Sequence, residues 1–203
     1  MRRFSNILAL LLVLGGLTAY ETAVASAQGN SISDLFLKLK SNQTATAARQ
    51  LRFMSRSDPS VKLYLSKNLP AIVDVGPSHT ASQWPDPVWL NAVSLSGALK
   101  ITECAPSLAK WISVRSSPIV TYSMESNLRN SPAGHALVLI GDPSIPSLQK
   151  VLSDGNTDER WESARALILI GTPQALAVLR EHVSHETDET LVSTINKAMP
   201  REK

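Results

Sequence analysis

The chain has 203 residues, 43% of them apolar and 5% aromatic, with 20 lysines and arginines against 17 aspartates and glutamates and a single cysteine. A formal charge of +3 argues against a nucleic-acid binder, which carries a concentrated basic patch, and one cysteine excludes an internal disulfide framework. The length allows one domain with a real core.

The first 27 residues read as an export signal rather than fold. Arg2 and Arg3 precede an apolar run from Ile7 to Leu17, too short to span a bilayer, and Ala25-Ser26-Ala27 is a small-x-small cleavage site. The expected mature chain, 28–203, carries a formal charge of +2 and is a single extracytoplasmic domain, periplasmic or secreted, with no membrane insertion after cleavage. The alternative is an N-terminal anchor that is retained.

Ser31 or Ser33 caps a helix through Leu35 and Leu39, and a second runs from about Thr44 through Leu51 to Met54. Asp58-Pro59 opens a third, expected to end before Pro70. The repeat signal is faint over 31–73, which reads as a degenerate N-terminal cap. From Val73 to Pro87 turn residues dominate, and no helix is expected there. Asp86-Pro87 restarts a helix through Trp89, Ala92, Val93 and Leu95, in which Gly97 marks a bend or a close helix contact. Another helix is expected over Pro106–Val114. The stretch 115–130, with Tyr122, is the least regular. Helical patterning resumes at Pro132 and reaches Ile140. Thr187 or Asp188 caps a last helix through Leu191 and Ile195.

One phrase organises the chain. Arg165-Ala-Leu-Ile-Leu-Ile-Gly171 matches His135-Ala-Leu-Val-Leu-Ile-Gly141, 30 residues earlier, and each is followed by a polar residue and proline: Thr172-Pro173 and Asp142-Pro143. A weaker copy, Gly97–Glu103, lies 38 residues before that. These are helix-pair periods. Each glycine ends its helix by adopting positive φ, and Thr172 starts the next with Pro173 at its first position. One helix pair cannot bury its own apolar face, whereas several in a row share a core.

The segment 86–182 resembles HEAT-like repeats, in particular the short bacterial and phycobilisome-lyase-type variety. Asp154, Gly155, Asn156, Asp158, Ala164, Ala166, Leu167, Ile170 and Gly171 carry the resemblance. It implies an all-α fold, a short right-handed α-α superhelix of the HEAT/armadillo-like solenoid type, and a surface for a partner protein. A few members of the family act on tetrapyrrole pigments, and none of the repeat residues transfers that activity here.

The chemistry-bearing residues form no signature. His182 and His185, with Glu181 and Glu186, lack the rigid third and fourth ligands that zinc needs. No G-x-S-x-G, G-x-G-x-x-G or phosphate loop is present. Asp158, Glu159 and Glu162 fit the charge preference of a helix N-terminus. Cys104, between Ile101 and Leu108, reads as a buried thiol. No catalytic residue, metal or cofactor is assigned. Trp84, Trp89, Tyr122, Trp161 and Arg165 are the candidate partner-binding residues, because aromatic and arginine side chains dominate binding surfaces. The expected function is a non-enzymatic scaffold or adaptor. Its alternatives are an accessory enzyme or ligand binder with a groove between repeats, for which His79 and His135 are the candidate side chains, and a self-associating structural protein.

Overall fold

A computed structural model describes residues 31–77, 85–116 and 130–199. The expected export segment lies outside the described residues. Within them the secondary structure is helical: α1 (Ile32–Leu39), α2 (Thr44–Met54), α3 (Pro59–Val75), α4 (Pro87–Ala98), α5 (Ala105–Ala109), α6 (Pro132–Ile140), α7 (Ile145–Asp154), α8 (Thr157–Ile170), α9 (Pro173–Val183) and α10 (Glu189–Ala198). Short 3-10 turns, Thr102–Cys104 and Asp142–Ser144, lead into α5 and α7.

The helices lie in two layers. In one, α2, α4, α6, α8 and α10 follow each other side by side; in the other, α3, α5, α7 and α9 do the same. Helix α1 packs on α2 and α4 at one end. Each layer buries one apolar stripe against the other, and Leu39, Leu51, Leu65, Leu69, Ile101, Leu108, Leu137, Leu148, Leu167, Leu179 and Leu191 form a continuous core. This is the all-α helix-pair stack of a HEAT/armadillo-like solenoid.

Local signals account for most helix ends. The Ser31 hydroxyl accepts the Asp34 N–H and the Asp34 carboxylate accepts the Ser31 N–H. Asn156 and Glu159 form the same reciprocal pair at α8. Asp58, Asp86, Ser131, Thr172 and Asp188 cap α3, α4, α6, α9 and α10. Gly141 and Gly171 have φ of +83° and +66°. Thr172 also donates to Asp142 Oδ1 at 2.8 Å, tying together the same position of two successive repeats.

Three expectations are corrected. Helix α3 runs through Pro70 to Val75, into the segment expected to be non-helical. Tertiary packing keeps it intact: Leu65, Leu69 and Val73 are buried along one face. Its C-terminal carbonyls are met by two indoles, since Trp89 Nε1 donates to Val73 O at 3.2 Å and Trp111 Nε1 to Asp74 O at 3.4 Å. Helix α5 is only five residues, followed by turns. The third repeat copy is offset by 40 residues from the second rather than 38, for Thr102-Glu-Cys-Ala-Pro-Ser-Leu108 superposes in order on Asp142-Pro-Ser-Ile-Pro-Ser-Leu148. The expected register failed because α4 does not end on a glycine. Lys100 takes the left-handed conformation there, φ +51°, and closes the helix with two backbone bonds, Lys100 N–H to Gly97 O and Ile101 N–H to Ser96 O.

Candidate functional site

Two helix stripes make a groove on the outer side of the α4–α6 contact. Residues Leu90, Val93, Ser94 and Gly97 lie at i, i+3, i+4 and i+7 on α4, and Pro132, His135, Ala136 and Leu139 repeat that spacing on α6. Such spacing places each set on one helix face. Both helices also bury their opposite faces, through Trp89, Ala92 and Leu95 on α4 and Ala133, Leu137 and Ile140 on α6. They are therefore apolar nearly all round, more than a surface helix needs.

The floor of the groove is set by Gly97. A Cβ there would meet the Ala136 Cα at 2.8 Å, so glycine alone lets the two helices come this close. Together with Ala98, Arg52 and Lys100, the stripes enclose about 510 Å³, within the range of about 300–1,000 Å³ usual for binding pockets. Leu139 is 40% exposed and Leu90 half-buried. Arg52 and Lys100 are exposed, and neither is ion-paired to a carboxylate among the described residues.

The candidates expected from sequence fall elsewhere. Trp84 and Tyr122 lie outside the described residues. Trp89 is 1% exposed, its ring in the core and its N–H held by the end of α3, so it offers no face to a partner. Trp161 and Arg165 do come together on α8. The guanidinium sits 5.4 Å from the indole ring centre, and Trp161 Nε1 donates to Asp188 Oδ2 at 3.0 Å. Both are half-buried and already engaged within the fold.

Arg165 belongs to a polar cluster built around Glu162. The Glu162 side chain is fully buried; Oε1 accepts from Arg165 at 2.6 Å and from Arg115, while Oε2 has no hydrogen-bond partner among the described residues. Burial pushes its carboxyl above the usual range, against the pull of the two arginines. A second cluster closes the last repeat. Glu186 accepts from Arg160 Nε at 3.0 Å, pairs with His182 Nε2 at 2.8 Å, and takes the backbone N–H groups of Thr187 and Asp188. Burial alone would raise this carboxyl, but those N–H groups, His182 and Arg160 outweigh it and hold it at about 2.

Among the described residues no group of three or more His, Cys, Asp or Glu side chains could hold a metal ion. The Cys104 thiol is wholly buried and pushed up to about 11 by that burial, with Ser96 pulling the other way. Such a thiol stays protonated and is a poor nucleophile at neutral pH. The buried serine hydroxyls serve the backbone: Ser131 donates to Ile112 O, Ser144 to Leu137 O and Ser163 to Leu148 O. No described helix is long and apolar enough to cross a membrane.

Sequence reasoning missed Arg52, Leu90, Lys100 and Leu139 as possible contact residues. Two signals pointed to them. Lys100 follows a helix that lacks the glycine stop of the next two repeats, and α6 carries apolar residues on a face that its core contacts do not require.

Comparison with known families agrees with this architecture over part of the chain. Residues 123–199 match the family described as HEAT repeats. No curated protein and no solved structure matches the chain.

Proposed function

We propose that the protein is a non-enzymatic, extracytoplasmic scaffold that binds another protein through its helical-repeat surface. One observation carries this reading: the stack has an apolar groove between α4 and α6, with half-exposed Leu139 on its wall and, at its rim, two cations with no ion-pair partner among the described residues. A fold made of stacked helix pairs offers contact area in this way, and an unspent apolar face is where it does so. Export follows from the charged start, short apolar run and cleavage site of the first 27 residues.

The test is affinity capture from the exported fraction, using the full chain tagged at its C-terminus, followed by mass spectrometry. A partner recovered in fixed ratio with the wild type, and lost with Leu139→Asn, is the expected result. Recovery of the bait from the cytoplasmic fraction alone would remove the export reading. If no protein came down and the bait instead retained a small molecule or metal by intact mass, the scaffold reading would give way to a ligand-binding groove.

A further inference from the structure

We propose that the α4–α6 groove takes an acidic peptide segment of a partner protein. An apolar side chain of that segment lies against half-buried Leu90 and exposed Leu139, and flanking carboxylates meet Arg52 and Lys100. The inference rests on the scaffold reading and names the chemistry of the partner.

Charge is the first argument. Among the described residues no carboxylate lines this groove. The other grooves, two of them smaller, do include acids: Glu186 and Glu189 beside α10, Asp154 and Glu159 between α5 and α7, Glu181 beside His182, and Glu103, which shares its groove with Lys62 and with Lys100. Arg52 and Lys100 reach this rim from separate elements, the last turn of α2 and the turn after α4. Two unneutralised cations above an apolar floor attract an anion that also has something to bury. A basic segment would be repelled, and a purely apolar one would leave both charges unanswered.

Lys100 supplies the second argument. A lysine at φ +51° is in a conformation that glycine adopts freely and that side-chain-bearing residues rarely take. The two later repeats leave their helix through a positive-φ glycine, Gly141 and Gly171, one register position further on. Retaining a lysine here opposes backbone preference. Its side chain lines both this groove and the neighbouring one that holds Glu103, and no carboxylate among the described residues is ion-paired to it. Strain held at one residue against its neighbours' solution is the usual mark of a functional position.

The third argument is shape. The groove is lined by residues spread over two turns of each helix, Leu90 to Gly97 on α4 and Pro132 to Leu139 on α6, with the close approach at Gly97 as its floor. An extended or helical segment fits a trough, with one anchor side chain every few residues.

The experiment uses three fluorescein-labelled decapeptides and fluorescence anisotropy on the full chain. One peptide has a single leucine flanked by glutamates, the second has lysines replacing the glutamates, and the third has glycine replacing the leucine. The first is expected to bind with a Kd of tens of micromolar, near −6 kcal/mol, and to weaken as salt rises. The other two should bind at least tenfold more weakly. Lys100→Gly is the decisive variant, because glycine accepts the left-handed turn while the side chain and its ammonium are removed: the Tm should hold or rise while the affinity falls about tenfold. Leu139→Asn, at an exposed position, should lower affinity without loss of fold. Equal binding of the lysine peptide, no saturable binding of the first, or an unchanged Kd in Lys100→Gly would each overturn the proposal. A dimer that dissociates on Leu139→Asn would put a second copy of the chain in the groove and overturn it too. A captured partner that survives Lys100→Gly and Leu139→Asn would overturn this groove while leaving the scaffold reading in place.

Discussion

Glu162 is the residue at which the fold departs furthest from what an apolar core prefers. Its carboxylate is buried, one oxygen is unmet, and the cations on the other are partly exposed: Arg165 by 20% and Arg115 by 40%. The partners are therefore unequal. An arginine that loses Glu162 can turn to water, whereas Glu162 without its arginines keeps a charge it cannot solvate. Arg165→Ala is expected to lose about 2–3 kcal/mol in urea unfolding, and less than about 1 kcal/mol once Glu162→Met is present. Equal losses in the two backgrounds would mean that Arg165 acts through its packing on Trp161 instead. Lys100 gives the opposite case at this scale. Its left-handed φ opposes its side chain, so Lys100→Gly should raise stability by about 1 kcal/mol, reduced by the greater freedom glycine has in the unfolded chain. Neither residue announces itself in a single sequence. Glu162 looks like ordinary charge in the first turns of a helix until the structure shows it pointing into the core. Lys100 looks like an ordinary exposed lysine until the structure shows its left-handed φ.

At the level of elements, what reads from the sequence is what depends on near neighbours. The caps Ser31, Asp58, Asp86, Thr172 and Asp188, and the stops Gly141 and Gly171, act within four residues of where they stand, so their chemistry is local. Pro70 misled for the converse reason. A proline removes one bond and strains one turn, a deficit that burial of Leu69 and Val73 across the layer boundary offsets. The tryptophans misled likewise. Trp89 has the composition of a contact residue, but its surroundings are α3, which no spacing in α4 reveals. Gly97 was legible as a close contact or bend, and the structure selects the contact. Alanine is the better helix former by about 1 kcal/mol, yet Gly97→Ala drives a Cβ to 2.8 Å from the Ala136 backbone. A net loss of about 1–3 kcal/mol is expected, as for other overpacked cores. Thermal unfolding followed by circular dichroism reads it, and a rise in Tm would show that α4 and α6 can part without penalty.

For the whole molecule, a stack of helix pairs holds its ends less firmly than its middle, because the last pair has a neighbour on one side only. The repeat phrase made the stack legible. The layer order and the groove were not, since both depend on which helix faces which. At the C-terminal end, α10 packs mainly on α8 and α9, and only Leu191 and Ile195 of that helix are buried. Glu186 compensates. From the turn between α9 and α10 it holds Arg160 of α8 and His182 of α9 and anchors the N–H groups that lead into α10. Its carboxyl is held at about 2 in the fold, against about 4.3 in an unfolded chain. A carboxylate depressed by folding contributes stability that is present above the unfolded value and disappears as pH falls through the folded one. The contribution, on the order of 2 kcal/mol, is therefore lost between about pH 4.3 and 2, when the unfolded state takes up the proton first. Acid should loosen α9 and α10 ahead of the centre of the stack. Hydrogen exchange at pH 3 is expected to show faster exchange in α10 than in α4 and α6, and Glu186→Gln should give that pattern at pH 7. Uniform exchange along the stack in both conditions would mean that apolar burial alone holds the last pair, with Glu186 contributing nothing to its docking.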